Sequence, residues 1–165
     1  MPGNSAICIF SRAIRTGKTT QLQQWVSGRS GVAGILTPDE NGMRKLLDIA
    51  TGHTYDLQVA DDFAGQKITV GRFTFDESVM AHARRVLTDA CTQHSDWLVI
   101  DEVGKLETEE DAGLEPAVTA VVRHYLSGAA RGRLLLVVRD SLLAAAIEKY
   151  GLHGAVVYAD LLPER

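Results

Sequence analysis

The chain has 165 residues, a formal net charge of −4, 45% hydrophobic residues and 23% charged residues. Those figures suit one globular domain that can bury a core without disulfide or metal staples. The acidic total argues against a nucleic-acid backbone as the main partner, since such binders present a basic face, and no stretch nears the roughly 20 apolar residues of a membrane span.

Near the N-terminus, Ala6 to Phe10 is a short, continuous apolar run and reads as a buried strand. No basic region precedes it and no small-residue cleavage site follows, so no signal peptide is expected and the cytoplasm is the expected compartment. Gly17 to about Val26 reads as a helix, and Ala33 to Thr37 as a second strand stopped by Pro38-Asp39. From Met43 to Phe75 the pattern changes. Arg44 to Ala50 and Thr54 to Ala60 flank the turn-like Thr51-Gly52-His53, and Tyr55, Leu57 and Val59 alternate with Thr54, Asp56 and Gln58. That period of two marks a half-exposed antiparallel strand. With a further strand near Ile68 to Phe73, the region is expected to be a β-rich insertion, about 43–75.

Thr74-Phe75-Asp76-Glu77 fits a capping box, with Asp76 as an alternative N-cap. The helix that follows is predicted to run to about His94. Its apolar face is Val79, Met80, Ala83, Val86, Leu87, Ala90 and Cys91, with His82, Arg84, Arg85 and Asp89 on the wet side. Trp97 to Ile100 reads as a buried strand ending in Asp101-Glu102. Pro116 suits a helix first turn, with the helix continuing to about Ser127. Leu134 to Val138 is another buried strand. Leu142 to Tyr150 is a helix ended by Gly151, and Ala155 to Tyr158 is the last strand. Alternating strands and helices of this kind build a mainly parallel α/β sheet.

Thr16-Gly17-Lys18-Thr19-Thr20 follows a buried strand and opens a helix, the context a phosphate loop requires. Backbone N–H groups at such a helix start point at an anion, and the helix dipole favours it. Gly17 lets the backbone close round a phosphate, Lys18 is placed to bridge the β- and γ-phosphates, and Thr19 to offer its hydroxyl to Mg²⁺. The candidate nucleotide-binding loop is Arg12, Ala13, Ile14, Arg15, Thr16, Gly17, Lys18, Thr19 and Thr20. The phosphate-loop pattern has glycine where this chain has Arg12. A side chain forced into a left-handed or stretched conformation there costs about 1–3 kcal/mol. Either a charged hydrogen bond from Arg12 or Arg15 to the triphosphate, worth about 1.5–3 kcal/mol, offsets that, or the loop is remodelled.

The second motif is Trp97-Leu98-Val99-Ile100-Asp101-Glu102, four apolar residues and then two carboxylates. This is the Walker B pattern with an added glutamate. Asp101 is placed to hold Mg²⁺, and Glu102 to orient or deprotonate an attacking water. Successive strand side chains point to opposite sides, so the two acids can do different jobs. About eighty residues separate Lys18 from Asp101, a spacing that predicts two neighbouring strand ends in one sheet.

Asp101-Glu102-Val103-Gly104-Lys105-Leu106-Glu107, taken with Thr16 to Thr20, resembles a family of small P-loop nucleoside-triphosphatases found in thermophiles, other bacteria and animals, the animal form being called cancer-related nucleoside-triphosphatase. The family's motif is Asp-Glu-Ile-Gly-Lys-Met-Glu, from which Val103 and Leu106 are conservative departures. The resemblance covers nearly the whole chain, including Gly34 to Thr37, the β-rich insertion, and the strand ending in Val138-Arg139. It implies a three-layer, RecA-like P-loop fold and slow Mg²⁺-dependent hydrolysis of several nucleoside triphosphates. By position it makes Lys18 and Thr19 phosphate and metal residues, Asp101 the metal residue and Glu102 the catalytic glutamate. Arg139 stands where members of the family often carry a basic residue; it is either a sensor of the γ-phosphate or a surface arginine. Lys105 and Glu107 match the motif without an assigned role. The Arg12 departure bears on catalytic competence.

Other signals are weak. Cys8 and Cys91 lie far apart, with no metal-ligand spacing, so neither a disulfide nor a metal cluster is expected. His53, His82, His94, His124 and His153 are scattered, and Glu107, Glu109, Glu110 and Asp111 read as a solvated loop. Leu126-Ser127-Gly128-Ala129 reads as a helix end. No guanine-reading Asn-Lys-x-Asp or Thr-Lys-x-Asp motif occurs, so a dedicated GTPase is not expected; broad base specificity is what the resemblance implies. The sequence therefore predicts a single three-layer α/β P-loop domain over 1–165 that binds a nucleoside triphosphate with Mg²⁺ and hydrolyses it. The alternatives are a small-molecule kinase, with the insertion as an acceptor lid, and a nucleotide-binding regulatory protein with little turnover. Oligomeric state has no sequence signal.

Overall fold

The computed structural model describes residues 6–13 and 18–164, the Lys18 side chain excepted. Five parallel strands form the centre: β1 (Ile7–Arg12), β2 (Val32–Leu36), β8 (Trp97–Asp101), β9 (Arg133–Arg139) and β10 (Val156–Tyr158), in the spatial order β10-β1-β9-β8-β2. These runs are apolar because both faces of the sheet are covered. In β1, Ile7 and Ile9 face one core while Cys8 and Phe10 face the other; in β9, Leu134, Leu136 and Val138 are opposed by Leu135 and Val137 in the same way. Each fully buried apolar side chain of this kind contributes about 1.5–3 kcal/mol.

The larger core is closed by α2 (Glu77–Thr92), α4 (Ala117–Leu126) and α5 (Leu143–Tyr150). The smaller is closed by α1 (Lys18–Ser27) through Leu22, Trp25 and Val26. This is a three-layer α/β arrangement with a mostly parallel sheet. Trp25 meets Trp97 edge to face at 5.1 Å, and its indole N–H donates to the Pro163 carbonyl at 2.7 Å, so the C-terminal segment is pinned against α1. Both tryptophans serve packing. Among the described residues no helix is long and apolar enough to cross a membrane.

Beyond β2 the sheet turns antiparallel. β4 (Met43–Asp48) pairs with β2, β3 (Asp39–Glu40) and β5 (Thr54–Asp56), while β6 (Lys67–Val70) and β7 (Phe73–Asp76) form a separate hairpin. The expected strand near Ile68 to Phe73 is thus two strands turning at Gly71-Arg72. Gly71 has a positive φ of 56°, which lets so short a turn match the strand twist. Gly34 is required for a different reason. Its φ is 109°, and a Cβ there would lie 2.0 Å from the Val99 carbonyl oxygen, so β2 and β8 approach only because no side chain intervenes.

Three helix expectations need correction. Asp76, not Thr74, caps α2: its carboxylate accepts the Ser78 N–H at 2.9 Å, whereas Thr74 lies in β7 and donates to Asp61. His82 and Arg84 are not on a wet face. His82 lies against the Tyr55 ring at 4.7 Å, and Arg84 pairs with Glu77 and donates to the Gly113 carbonyl. The insertion and the 113 segment cover that side of α2, which a helical periodicity cannot reveal. Finally, the acidic stretch after Gly104 contains a short helix, α3 (Lys105–Glu109).

Candidate functional site

Because the central strands are parallel, their carboxyl ends share one edge, the edge where open α/β sheets bind ligands. Arg12 ends β1 directly opposite Arg139 at the end of β9; Asp101 ends β8 opposite Val137. The lysine-bearing loop and the paired acids therefore do not follow neighbouring strands, as their spacing suggested: β9 lies between them. Linear separation does not encode strand order, and this order sets Arg139 between the two motifs.

Asp101 is fully buried, and its Oδ2 accepts the Thr37 N–H at 3.1 Å, joining the end of β8 to the residue after β2. Glu102, half-buried, turns into a cavity of about 980 Å³. Thr19 and Thr20 from the start of α1, Lys105 and Arg139 share that wall. Arg139 is half-buried, and its Nε has no hydrogen-bond partner among the described residues.

Arg12 behaves differently from expectation. It is the last residue of β1, and among the described non-glycine residues only Asn41 and Asp111 have positive φ. The position is extended rather than left-handed, so arginine meets no backbone strain there. Its guanidinium donates to Gln21 Oε1 at 3.0 Å, and Gln21 in turn donates to the Asp160 carbonyl at 2.9 Å. Arg12 thus ties β1 to α1 and to the C-terminal segment, and it does not line the cavity. Ala13 is exposed. Ile14, Arg15, Thr16, Gly17 and the Lys18 side chain lie outside the described residues.

The sequence reading missed Glu107. It is only 4% exposed, not solvated. Oε1 accepts the Gly104 N–H at 2.8 Å and Oε2 accepts the Leu114 N–H at 2.9 Å. The first bond is the back half of a capping box on α3; the second clamps the loop that returns from it. A Cβ at Gly113, whose φ is 66°, would sit 2.1 Å from Oε2, so glycine is needed to close this cradle. Burial raises the carboxyl above its ordinary pKa, opposed by backbone N–H bonds from Leu114, Gly104 and Glu107 itself. Alongside, Tyr150 donates to Glu115 Oε1 at 2.9 Å and Thr119 to Glu115 Oε2 at 2.6 Å. A signal was present, since Glu107 stands third after Gly104; the three exposed acids Glu109, Glu110 and Asp111 masked it.

The donor set suits Mg²⁺. A threonine hydroxyl and an aspartate carboxylate are hard oxygen ligands, and Mg²⁺ takes few protein ligands, completing its octahedron with phosphate oxygens and water. Among the described residues no group of three His, Cys, Asp or Glu side chains could hold a metal by itself, so no zinc-like cage competes with that arrangement.

The crystal structure of THEP1 from the hyperthermophile Aquifex aeolicus is similar in fold. It aligns with a TM-score of 0.60 and 18% sequence identity over 96% of this chain and 91% of that one. No curated protein sequence matches the chain. The sequence profile of the family described as NTPase matches residues 10–157, from the end of β1 through all the elements described above to β10. The chain belongs to this NTPase family.

Proposed function

We propose that the chain binds a nucleoside triphosphate with Mg²⁺ and cleaves the β–γ anhydride with water, giving the diphosphate and phosphate. The observation that carries this reading is the shared cavity wall: Thr19, Glu102 and Arg139, from three separate segments, face one space at the carboxyl edge of the sheet. The loop that follows Arg12, through Thr20, surrounds the phosphates, with Lys18 bridging the β- and γ-groups. Thr19 and Asp101 hold Mg²⁺, which supplies charge neutralisation along the triphosphate. Glu102 orients the water and takes its proton. Arg139, approaching from between the two motifs, donates to the γ-phosphate as its charge shifts. Glu107 acts at one remove, by fixing the backbone that carries Glu102 and Lys105. Broad base use, a cytoplasmic location and a single domain over 1–165 complete the reading.

A second reading, a kinase that passes the γ-phosphoryl to a small acceptor, is favoured by the size of the cavity, which far exceeds one water. A regulatory protein with little turnover was motivated by Arg12; its unstrained place in β1 weakens that motive. Phosphate release from ATP, GTP, CTP and UTP, with and without Mg²⁺, separates the three. Release in water alone supports hydrolysis. Release only with a phosphorylated acceptor supports the kinase, and tight binding without release supports the regulator.

A further inference from the structure

The cavity continues well past Thr19, Glu102 and Arg139. It is a half-open cleft of about 980 Å³, whereas a water claims about 30 Å³. The triphosphate reading directs the nucleoside of that ligand elsewhere. The acids and Arg139 lie on the β9 and β8 side of β1; with the roles proposed for them above, the γ-phosphate faces that side and the nucleoside is led toward β10. The cavity instead extends from the γ-phosphate end across β2 to the β6–β7 hairpin.

The hairpin end has its own chemistry. The Arg72 guanidinium carbon lies 5.3 Å from the Phe73 ring centre, and that of Arg44 lies 6.0 Å from it. Arg44 is only loosely matched by Asp39, at 4.0 Å, and Arg72 has no carboxylate partner among the described residues. Below them Leu46, Leu57, Phe75 and Met80 form a buried apolar floor. Two guanidiniums beside one aromatic ring, above an apolar floor, are the chemistry that recognises a flat ring carrying an anion. An attacking water needs none of these groups.

We infer that the hairpin end of the cavity binds a second small ligand on the γ-phosphate side of the triphosphate, a flat-ringed organic phosphate of the nucleoside monophosphate class. The inference rests on the triphosphate reading above. The phosphate sits between Arg44 and Arg72, and the ring lies against Phe73 and the floor. The ligand thereby separates the γ-phosphate from solvent.

Calorimetry tests this in two arms. The first titrates the Mg²⁺ complex of β,γ-imido-ATP onto the protein. The second titrates AMP, GMP, CMP and UMP, with inorganic phosphate as control, onto protein saturated with that analogue. At least one monophosphate is expected to bind in the second arm, at least about tenfold more tightly than inorganic phosphate. Arg72→Ala and Phe73→Ala should each weaken it about tenfold, with analogue affinity changed by less than about twofold. Arg72→Lys, at an exposed turn where folding is not at stake, should also weaken it, because the planar fork is lost. The inference is overturned if no monophosphate binds to analogue-filled protein, if a monophosphate displaces the analogue, if inorganic phosphate binds equally well, or if the Arg72 variants bind like the parent. Absence of analogue binding in the first arm overturns the triphosphate reading itself, and the second site with it.

Discussion

Glu107 Oε1 receives the Gly104 N–H at 2.8 Å, two residues beyond Glu102, while its other oxygen holds Leu114. One carboxylate therefore closes the segment that carries Lys105 and follows the acid pair. Glu107→Gln keeps the shape but sets an amide NH₂ against one of two N–H donors. The unsatisfied donor should cost about 1–3 kcal/mol, about 2–4 °C in Tm per kcal/mol for a chain of this size. The effect depends on pH. Burial raises the folded-state pKa of Glu107, so the native state holds this proton more tightly than the unfolded chain does. The associated stability is complete below the ordinary carboxylate pKa and is lost as pH rises through the raised value. Unfolding of the parent and Glu107→Gln at a series of pH values should show the parent's advantage shrinking as pH rises. A constant gap would contradict the burial argument.

Glu102→Gln should bind nucleotide as the parent does and lose turnover by about 10²–10⁴-fold, the range for removal of a general base. Lys18→Ala should instead weaken nucleotide binding. Phosphate release measured beside nucleotide titration separates these outcomes, and normal turnover in Glu102→Gln would remove Glu102 from the chemistry.

Arg139 ends a strand flanked on one side by the phosphate-loop strand and on the other by the acid strand. A group that meets the γ-phosphate only as charge develops there affects kcat more than binding. Arg139→Ala should lower kcat by about 10²–10³-fold with diphosphate affinity little changed, and guanidinium ion in the assay should restore part of the loss. Arg139→Lys should recover less than full activity, because the planar fork is gone. Unchanged kcat in Arg139→Ala would make it a surface arginine.

Much of this architecture is legible in the residues because local physics fixes it. Apolar runs such as Leu134 to Val138 can be covered only on both faces, and Gly151, at φ 67°, ends α5 where the sequence places the stop. The phosphate-loop and acid motifs are equally local. What is not legible depends on which segments meet. Strand order places β9 between the two motifs, and no local pattern records that. His82 and Arg84 carry polar signatures that only the packing of the insertion overrides. Arg12 looks strained when judged by a glycine pattern, yet β1 continues far enough to keep it extended. Arg44 in β4 and Arg72 in the β6–β7 turn both approach the Phe73 ring from different sheets, beyond the reach of periodicity.

Asp101 is the residue at which structural and metal roles must be separated. Its Oδ2 accepts the Thr37 N–H, so Asp101→Ala would leave that donor unpaired beside a cavity the size of the lost carboxylate, and lost activity would be ambiguous. Asp101→Asn retains one carbonyl oxygen for Thr37 and removes the negative charge. If Asp101 holds Mg²⁺, the Asn variant should unfold within about 1 kcal/mol of the parent. It should also need at least about tenfold more Mg²⁺ for half-maximal phosphate release, since a neutral amide is a far weaker ligand for a hard dication. Thr19→Ala should shift the same midpoint in the same direction, from the other side of the site. Midpoints equal to the parent's in both variants, with stability preserved, would mean that neither side chain reaches the metal.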